Sequence, residues 1–207
     1  MNATTRHNFI VSFRVVFAAL ALGSVVEQYL LDIQFQGIYF NRVNYFSFFT
    51  VDSNLLAAVA FALAGYFKAS GKTRPHWLDF FRGATVVYLA VTAIVNLLIL
   101  GGLQAPIALL VDWPSNLQHV YFPIAVAADW ICSKPYTSIS WQQSIAWLGF
   151  PALWLIYTLT RGATTRWYPY FFLDPTNGYG RVVIYCVLIL ILMASLGLVV
   201  RSVRKIL

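Results

Sequence analysis

Residues Val182–Val200 read VVIYCVLILILMASLGLVV, an uninterrupted apolar run with no charged side chain. Strands of a membrane barrel alternate apolar and polar positions over about ten residues, and this run has no such alternation. Coiled as a helix it nearly matches the roughly 20 residues that a hydrocarbon core requires. It is therefore read as a transmembrane helix, and the rest of the chain follows the same pattern.

Five further apolar stretches precede it: Phe9–Leu30, Phe46–Phe67, Phe80–Gly101, Leu117–Cys132 and Trp141–Thr160. Of the 207 residues 60% are apolar and 10% are charged, and the mean hydropathy is +0.71. So few charges cannot coat a soluble globule of this length. The expected fold is all-α, one domain over residues 1–207 forming a six-transmembrane-helix integral membrane bundle. Arg6 and His7 stand ahead of the first stretch as in a signal peptide, but Gln28-Tyr29-Leu30 is a poor cleavage site, so this stretch is expected to remain.

Basic residues set the orientation. With the N-terminus inside, one face holds Arg6, Arg14, Lys68, Lys72, Arg74, Arg82, Lys134, Arg201, Arg204 and Lys205, against Arg42, Arg161, Arg166 and Arg181 on the other. Both termini are expected to be cytoplasmic, in the inner or plasma membrane if the chain is bacterial. This asymmetry accounts for most of the +7 net charge, and no basic stripe interleaved with aromatics points to nucleic acid. Tyr29, Tyr39, Tyr45, Trp113, Tyr121, Trp167, Tyr168 and Tyr170 crowd the outer ends as an interfacial belt. Cys132 and Cys186 fall on opposite sides of the bilayer, too far apart to pair.

Polar groups converge near the outer ends of two stretches. Thr50 lies about 6 Å into the second, with Ser53 and Asn54 on its face and Asp52 turned roughly away. His119 opens the fourth, with Ser115 or Asn116 as the expected N-cap. Pro123, four residues on, has no N–H to bond the His119 carbonyl. A threonine in a membrane helix commonly bonds the carbonyl one turn back, and an interfacial histidine commonly bonds a carbonyl. Their matched depth allows a different chemistry, in which His119 accepts the Thr50 proton and Thr50 attacks an acyl group. Asp112, Asn116 and Asp52 are all candidates for a third, orienting group. Asn54, Asn96 and Asn116 are candidate substrate-binding residues, Asn54 and Asn96 as oxyanion donors. Asn96 is more simply read as an interhelical hydrogen bond. No metal or other cofactor is expected, since His7 and His76 fall on the cytoplasmic side, far from His119.

Asp129 lies about 15 Å deeper than His119 on the same stretch. It is either a carboxylate of the kind a proton-coupled carrier uses or the partner of Arg14 or Arg82, and the pairing is the simpler reading.

Phe49-Thr50 with Asp52 two residues on resembles the Leu-Thr-Phe-Ile-Asp segment of the androgen-induced and androgen-dependent multi-pass membrane hydrolases and their bacterial six-helix relatives. Asn116-Leu117-Gln118-His119 with Pro123 resembles that family's Asn-x-x-x-His segment, one residue shorter. Trp167-Tyr168-Pro169-Tyr170 and Gly178-Tyr179-Gly180-Arg181 resemble its Trp-x-Tyr-Pro-Phe stretch and the Gly-x-Arg opening its last helix, and are read as a structural anchor and turn. The resemblance covers most of the chain, and these short blocks stand in the family's order. The resemblance implies an intramembrane threonine hydrolase, with Thr50 as nucleophile and His119 as its partner, acting on fatty acid esters of hydroxy fatty acids. The expected partners are a lipid ester and membrane lipids; no oligomeric state is read from the sequence. Val51 and Ser53-Asn54 replace more apolar residues of the animal proteins, which points to a different substrate preference. The competing expectation is a non-enzymatic lipid- or solute-binding membrane protein or transporter, in which the same cluster holds a headgroup.

Overall fold

The computed structural model describes residues 2–101 and 112–206, and every regular element among them is helical. Helix α1 (Ala3–Gln36) starts where Asn2 Oδ1 accepts the Thr5 N–H at 2.7 Å, and ends at Gly37 with φ 54°, a left-handed turn that glycine adopts without strain. A 3₁₀ turn (Gly37–Tyr39) and the short α2 (Arg42–Tyr45), capped by Asn41, bring the chain back. The Tyr45 hydroxyl then donates to the Val25 carbonyl at 2.6 Å, fixing where the next helix begins.

Helices α3 (Phe49–Ala69) and α4 (His76–Leu98) follow. Ala18 and Ala21 of α1 are buried, as are Ala57, Ala58, Ala60 and Ala64 of α3. Small side chains let two helices approach closely where lipid supplies no hydrophobic drive between them. A long 179–206 helix closes the chain. Leu20, Val59, Leu153 and Leu188 are among the large apolar side chains left exposed, an arrangement suited to lipid rather than water.

Among the described residues four helices are long and apolar enough to cross a membrane: Ala3–Tyr39, Phe49–Ala69, His76–Leu98 and Tyr179–Val203. The fourth and fifth expected spans are helical but broken. Residues 113–132 form α5 (Trp113–Asn116), a wide π turn (Leu117–Tyr121) and α6 (Phe122–Cys132). Residues 141–165 form α7 (Trp141–Ala146) and α8 (Gly149–Thr165), separated at Trp147-Leu148. Trp147 lies over Gly83, where a Cβ would meet its ring at 2.5 Å, and its indole N–H bonds the Phe80 carbonyl at 3.0 Å. That docking turns the chain between α7 and α8. The third expected span also ends early, since Ile99–Gly101 has left the helix. Two 3₁₀ turns (Phe171–Leu173 and Pro175–Asn177) lead into α9 (Tyr179–Ile206).

Away from Thr50, the bundle is tied by buried charge. Asp129 accepts Arg14 Nε at 2.9 Å and Arg82 Nη2 at 2.6 Å, and Asp79 accepts Arg82 Nη1 at 2.9 Å and Arg74 Nε at 3.0 Å. Arg14 also donates to the Ala64 carbonyl at 3.1 Å, and Asp79 Oδ2 accepts the Tyr136 N–H at 2.8 Å. Four helices and two loops are thus joined through charges that each have an opposite partner, the condition under which buried ions are tolerated. Asp129 pairs with both arginines, and both of its oxygens are engaged. Cys132 and Cys186 are free thiols.

Candidate active site

The first turn of any helix leaves backbone N–H groups without partners. The N-cap of α3 is Phe48, which has no side-chain acceptor, and an acceptor comes from far along the chain: the Tyr170 phenol oxygen accepts the Thr50 N–H at 3.4 Å. The Thr50 hydroxyl, on a residue 9% exposed, is 3.5 Å from the same phenol. One turn on, Asn54 Nδ2 donates to the Thr50 carbonyl at 2.9 Å and to the Gln118 carbonyl at 3.3 Å. That second bond ties α3 to the π turn holding His119. It is one contact that holds the two segments in register.

His119 sits within the π turn, where the Phe122 N–H reaches back five residues to Leu117. Pro123 has no N–H to offer the His119 carbonyl, so the ordinary four-residue bond is missing at this point. The imidazole Nδ1 is 2.8 Å from the Ser115 carbonyl and 3.3 Å from its hydroxyl. A carbonyl only accepts, so in this contact Nδ1 carries the proton and the neutral ring keeps its lone pair on Nε2. Nε2 lies 3.4 Å from Thr50 Oγ1. Imidazole and hydroxyl thus face each other within hydrogen-bonding reach.

The orienting group is therefore the Ser115 backbone carbonyl, rather than Asp112, Asn116 or Asp52. Asp112 acts one step away: it, not Ser115 or Asn116, is the N-cap of α5, accepting the Ser115 N–H at 3.4 Å. Asp52 is half-buried and makes no side-chain hydrogen bond among the described residues. The expected amide donors are occupied elsewhere. Asn54 spends its NH₂ on two carbonyls, and Asn116 donates to the Asp112 carbonyl at 2.7 Å. Asn96 makes neither the expected interhelical bond nor any other among the described residues.

Tyr170 is the group that sequence reasoning took for a structural anchor. Its position is built locally. Helix α8 ends at Arg166 in the left-handed conformation (φ 55°), with its N–H on the Gly162 carbonyl at 2.8 Å. The Tyr168 ring then packs where a Cβ on Gly162 would stand, and Arg161 lies 5.0 Å from the Trp167 ring. The Tyr170 ring stacks on Phe172 at 5.2 Å and abuts Trp154 at 6.0 Å. Burial pushes the Tyr170 phenol above its ordinary value, so it is a neutral O–H at physiological pH. The available signal was the phenol hydroxyl of Tyr170 itself, closing the aromatic block Trp167-Tyr168-Pro169-Tyr170.

Beside Thr50 and Tyr170 opens a cavity of about 470 Å³ between α4, α8 and α9. Among the described residues its polar lining comes from Thr50, Thr92, Tyr170 and Cys186, and His119 does not line it. Thr50 thus stands between an imidazole on one side and an apolar chamber on the other. Among the described residues no group of three or more His, Cys, Asp or Glu is placed to hold a metal ion. Compared with known proteins, the chain matches no family model, no curated protein and no solved structure.

Proposed function

We propose that this chain is a six-pass integral membrane hydrolase of lipid esters, similar to the androgen-induced and androgen-dependent hydrolases, with both termini cytoplasmic. The broken helical segments 113–132 and 141–165 supply the fourth and fifth crossings, and the basic residues on the termini's face supply the orientation. The observation that carries the enzymatic reading is the 3.4 Å approach of Thr50 Oγ1 to a His119 Nε2 whose tautomer is fixed by Ser115.

In this mechanism Thr50 Oγ1 attacks the ester carbonyl carbon as its proton passes to His119 Nε2. Tyr170 donates its O–H to the oxyanion of the tetrahedral intermediate. Collapse breaks the bond to the alcohol oxygen, which takes the proton back from His119 and leaves as the hydroxy acid. Water, deprotonated by His119, then attacks the acyl-threonine ester, releasing the fatty acid and restoring the Thr50 hydroxyl. Substrates are fatty acid esters of hydroxy fatty acids or similar two-chain esters.

Asp129, the carboxylate that a proton-coupled carrier reading would have used, is held by two arginines. The decisive experiment is hydrolysis of a fatty acid ester of a hydroxy fatty acid by the purified protein. Thr50→Ala and His119→Ala should abolish turnover with the fold retained, and Thr50→Ser should keep part of it. Full turnover by Thr50→Ala would end the nucleophile assignment.

A further inference from the structure

We propose that the cavity beside Thr50 is a slot for a single straight acyl chain, entered sideways from the bilayer, and that Leu148, Ala152 and Met193 at one end set the chain length it accepts. The proposal rests on Thr50 being the nucleophile only for its account of which group is transferred; the slot itself stands on its shape and lining.

Length is the first argument. The wall on α8 runs from Leu148 to Leu159 and the wall on α9 from Val182 to Met193, each climbing about 16 Å at the helical rise. Half of a hydrocarbon core of about 30 Å is one leaflet, the depth of one lipid chain. The volume, about 470 Å³, falls within the range of roughly 300–1,000 Å³ usual for small-ligand sites.

Polarity gives the orientation. Thr92 is hydrogen-bonded to Ser53 at 3.2 Å, so among the described lining residues the open polar groups beyond the Cys186 thiol are Thr50 and Tyr170. A ligand's carbonyl has partners there and the remainder of the slot suits methylenes alone. The buried Phe172 and Leu173 of the 3₁₀ turn line the other end, and a tail directed away from them runs toward Leu148 and Met193.

Access gives the source. Val183, Val187 and Leu190 line the slot and are 59%, 47% and 51% exposed, on the face of α9 that also presents apolar side chains outward. The slot therefore opens through a surface suited to lipid. A chain enters without crossing water.

The test uses the full-length protein in diphytanoyl phosphatidylcholine vesicles, whose branched tails leave an added fatty acid as the only straight chain. Stearic acid carrying a terminal diazirine is photolysed and its adducts are mapped. Adducts should fall on Leu148, Ala152 or Met193, and unlabelled stearic acid should compete where butyric acid does not. Adducts confined to outward residues such as Leu20, Val59 and Ile124, or not competed, would overturn the slot. In parallel, Ala152→Phe should lower hydrolysis of a stearoyl ester by about tenfold or more relative to a butyryl ester. An equal effect on both esters would remove the length-setting role. Photolabelling needs no turnover, so a labelled slot in a protein that cleaves no ester would sink the hydrolase reading and keep the slot.

Discussion

The phenol of Tyr170 meets Thr50 twice, 3.4 Å from its backbone nitrogen and 3.5 Å from its hydroxyl. Because the oxygen accepts the Thr50 N–H, the phenolic proton is left for the Thr50 hydroxyl or for an acceptor on the cavity side. Tyr170→Phe keeps the ring stacked on Phe172 and removes only that donor. A hydrogen bond to a charged oxygen contributes about 1.5–3 kcal/mol, so kcat should fall roughly ten- to hundredfold with KM little changed. An unchanged kcat would reduce Tyr170 to a cap on α3.

The same phenol predicts a pH profile. Its active form is the neutral one, and burial raises its pKa above the ordinary value of about 10. The contribution is therefore complete below that pH and lost only as pH rises through the higher, folded value. Ester turnover at fixed ester concentration should show no alkaline fall attributable to tyrosine below about pH 10. A wild-type limb at lower pH that vanishes in Tyr170→Phe would contradict the raised value.

The buried ion network predicts a stability effect separable from chemistry. Asp129→Ala leaves Arg14 and Arg82 without a shared carboxylate in the bundle interior, and breaking such a pair costs about 3–5 kcal/mol. The melting temperature in detergent should drop strongly, and much less for Asp129→Asn, which can still accept one hydrogen bond. A stable Asp129→Ala protein that loses only solute movement would restore the carrier reading.

The pairing of Thr50 with His119 was legible because depth along a helix can be counted and both residues lie within a turn of an apolar boundary. The partner that orients the imidazole was not, since a backbone carbonyl carries no residue identity. Asn54 and Asn116 were selected as donors by sharing a helix face, yet a primary amide beside helix-end carbonyls is taken by them first. Tyr170 reaches the site through a left-handed turn and a loop, a path without periodicity. The six apolar stretches were readable from hydropathy. The breaks in two of them depend on Pro123, visible in the sequence, and on the seating of Trp147 over Gly83, which is tertiary.

That seating gives a further prediction. A methyl group at Gly83 would approach the Trp147 ring at 2.5 and 2.9 Å and the Trp130 ring at 3.1 Å, and both tryptophans are fully buried. Neither ring can withdraw without breaking its indole bond, to Phe80 or to Val200. Overpacking of this kind costs about 1–3 kcal/mol. Gly83→Ala should lower the melting temperature measurably, and α8, which Trp147 aims, should lose its hold on Phe49 through Phe150 and Trp154. A wild-type melting temperature would show that the rings have room to move.

Pro123 separates stability from function most sharply. Its missing N–H leaves the His119 carbonyl unbonded at the four-residue spacing, and the chain answers with the wide turn Leu117–Tyr121. Alanine at this position supplies the N–H and allows an ordinary helical turn. Removing the extra residue from the turn rotates the segment before it by about 100°. His119 would then swing away from Thr50, while the helix gains a bond. Pro123→Ala should therefore melt at or above the wild-type temperature yet lose at least about a hundredfold in turnover, the scale of a displaced general base. Retention of both the melting temperature and the rate would mean that Asn54, bridging Thr50 to Gln118, sets the alignment alone.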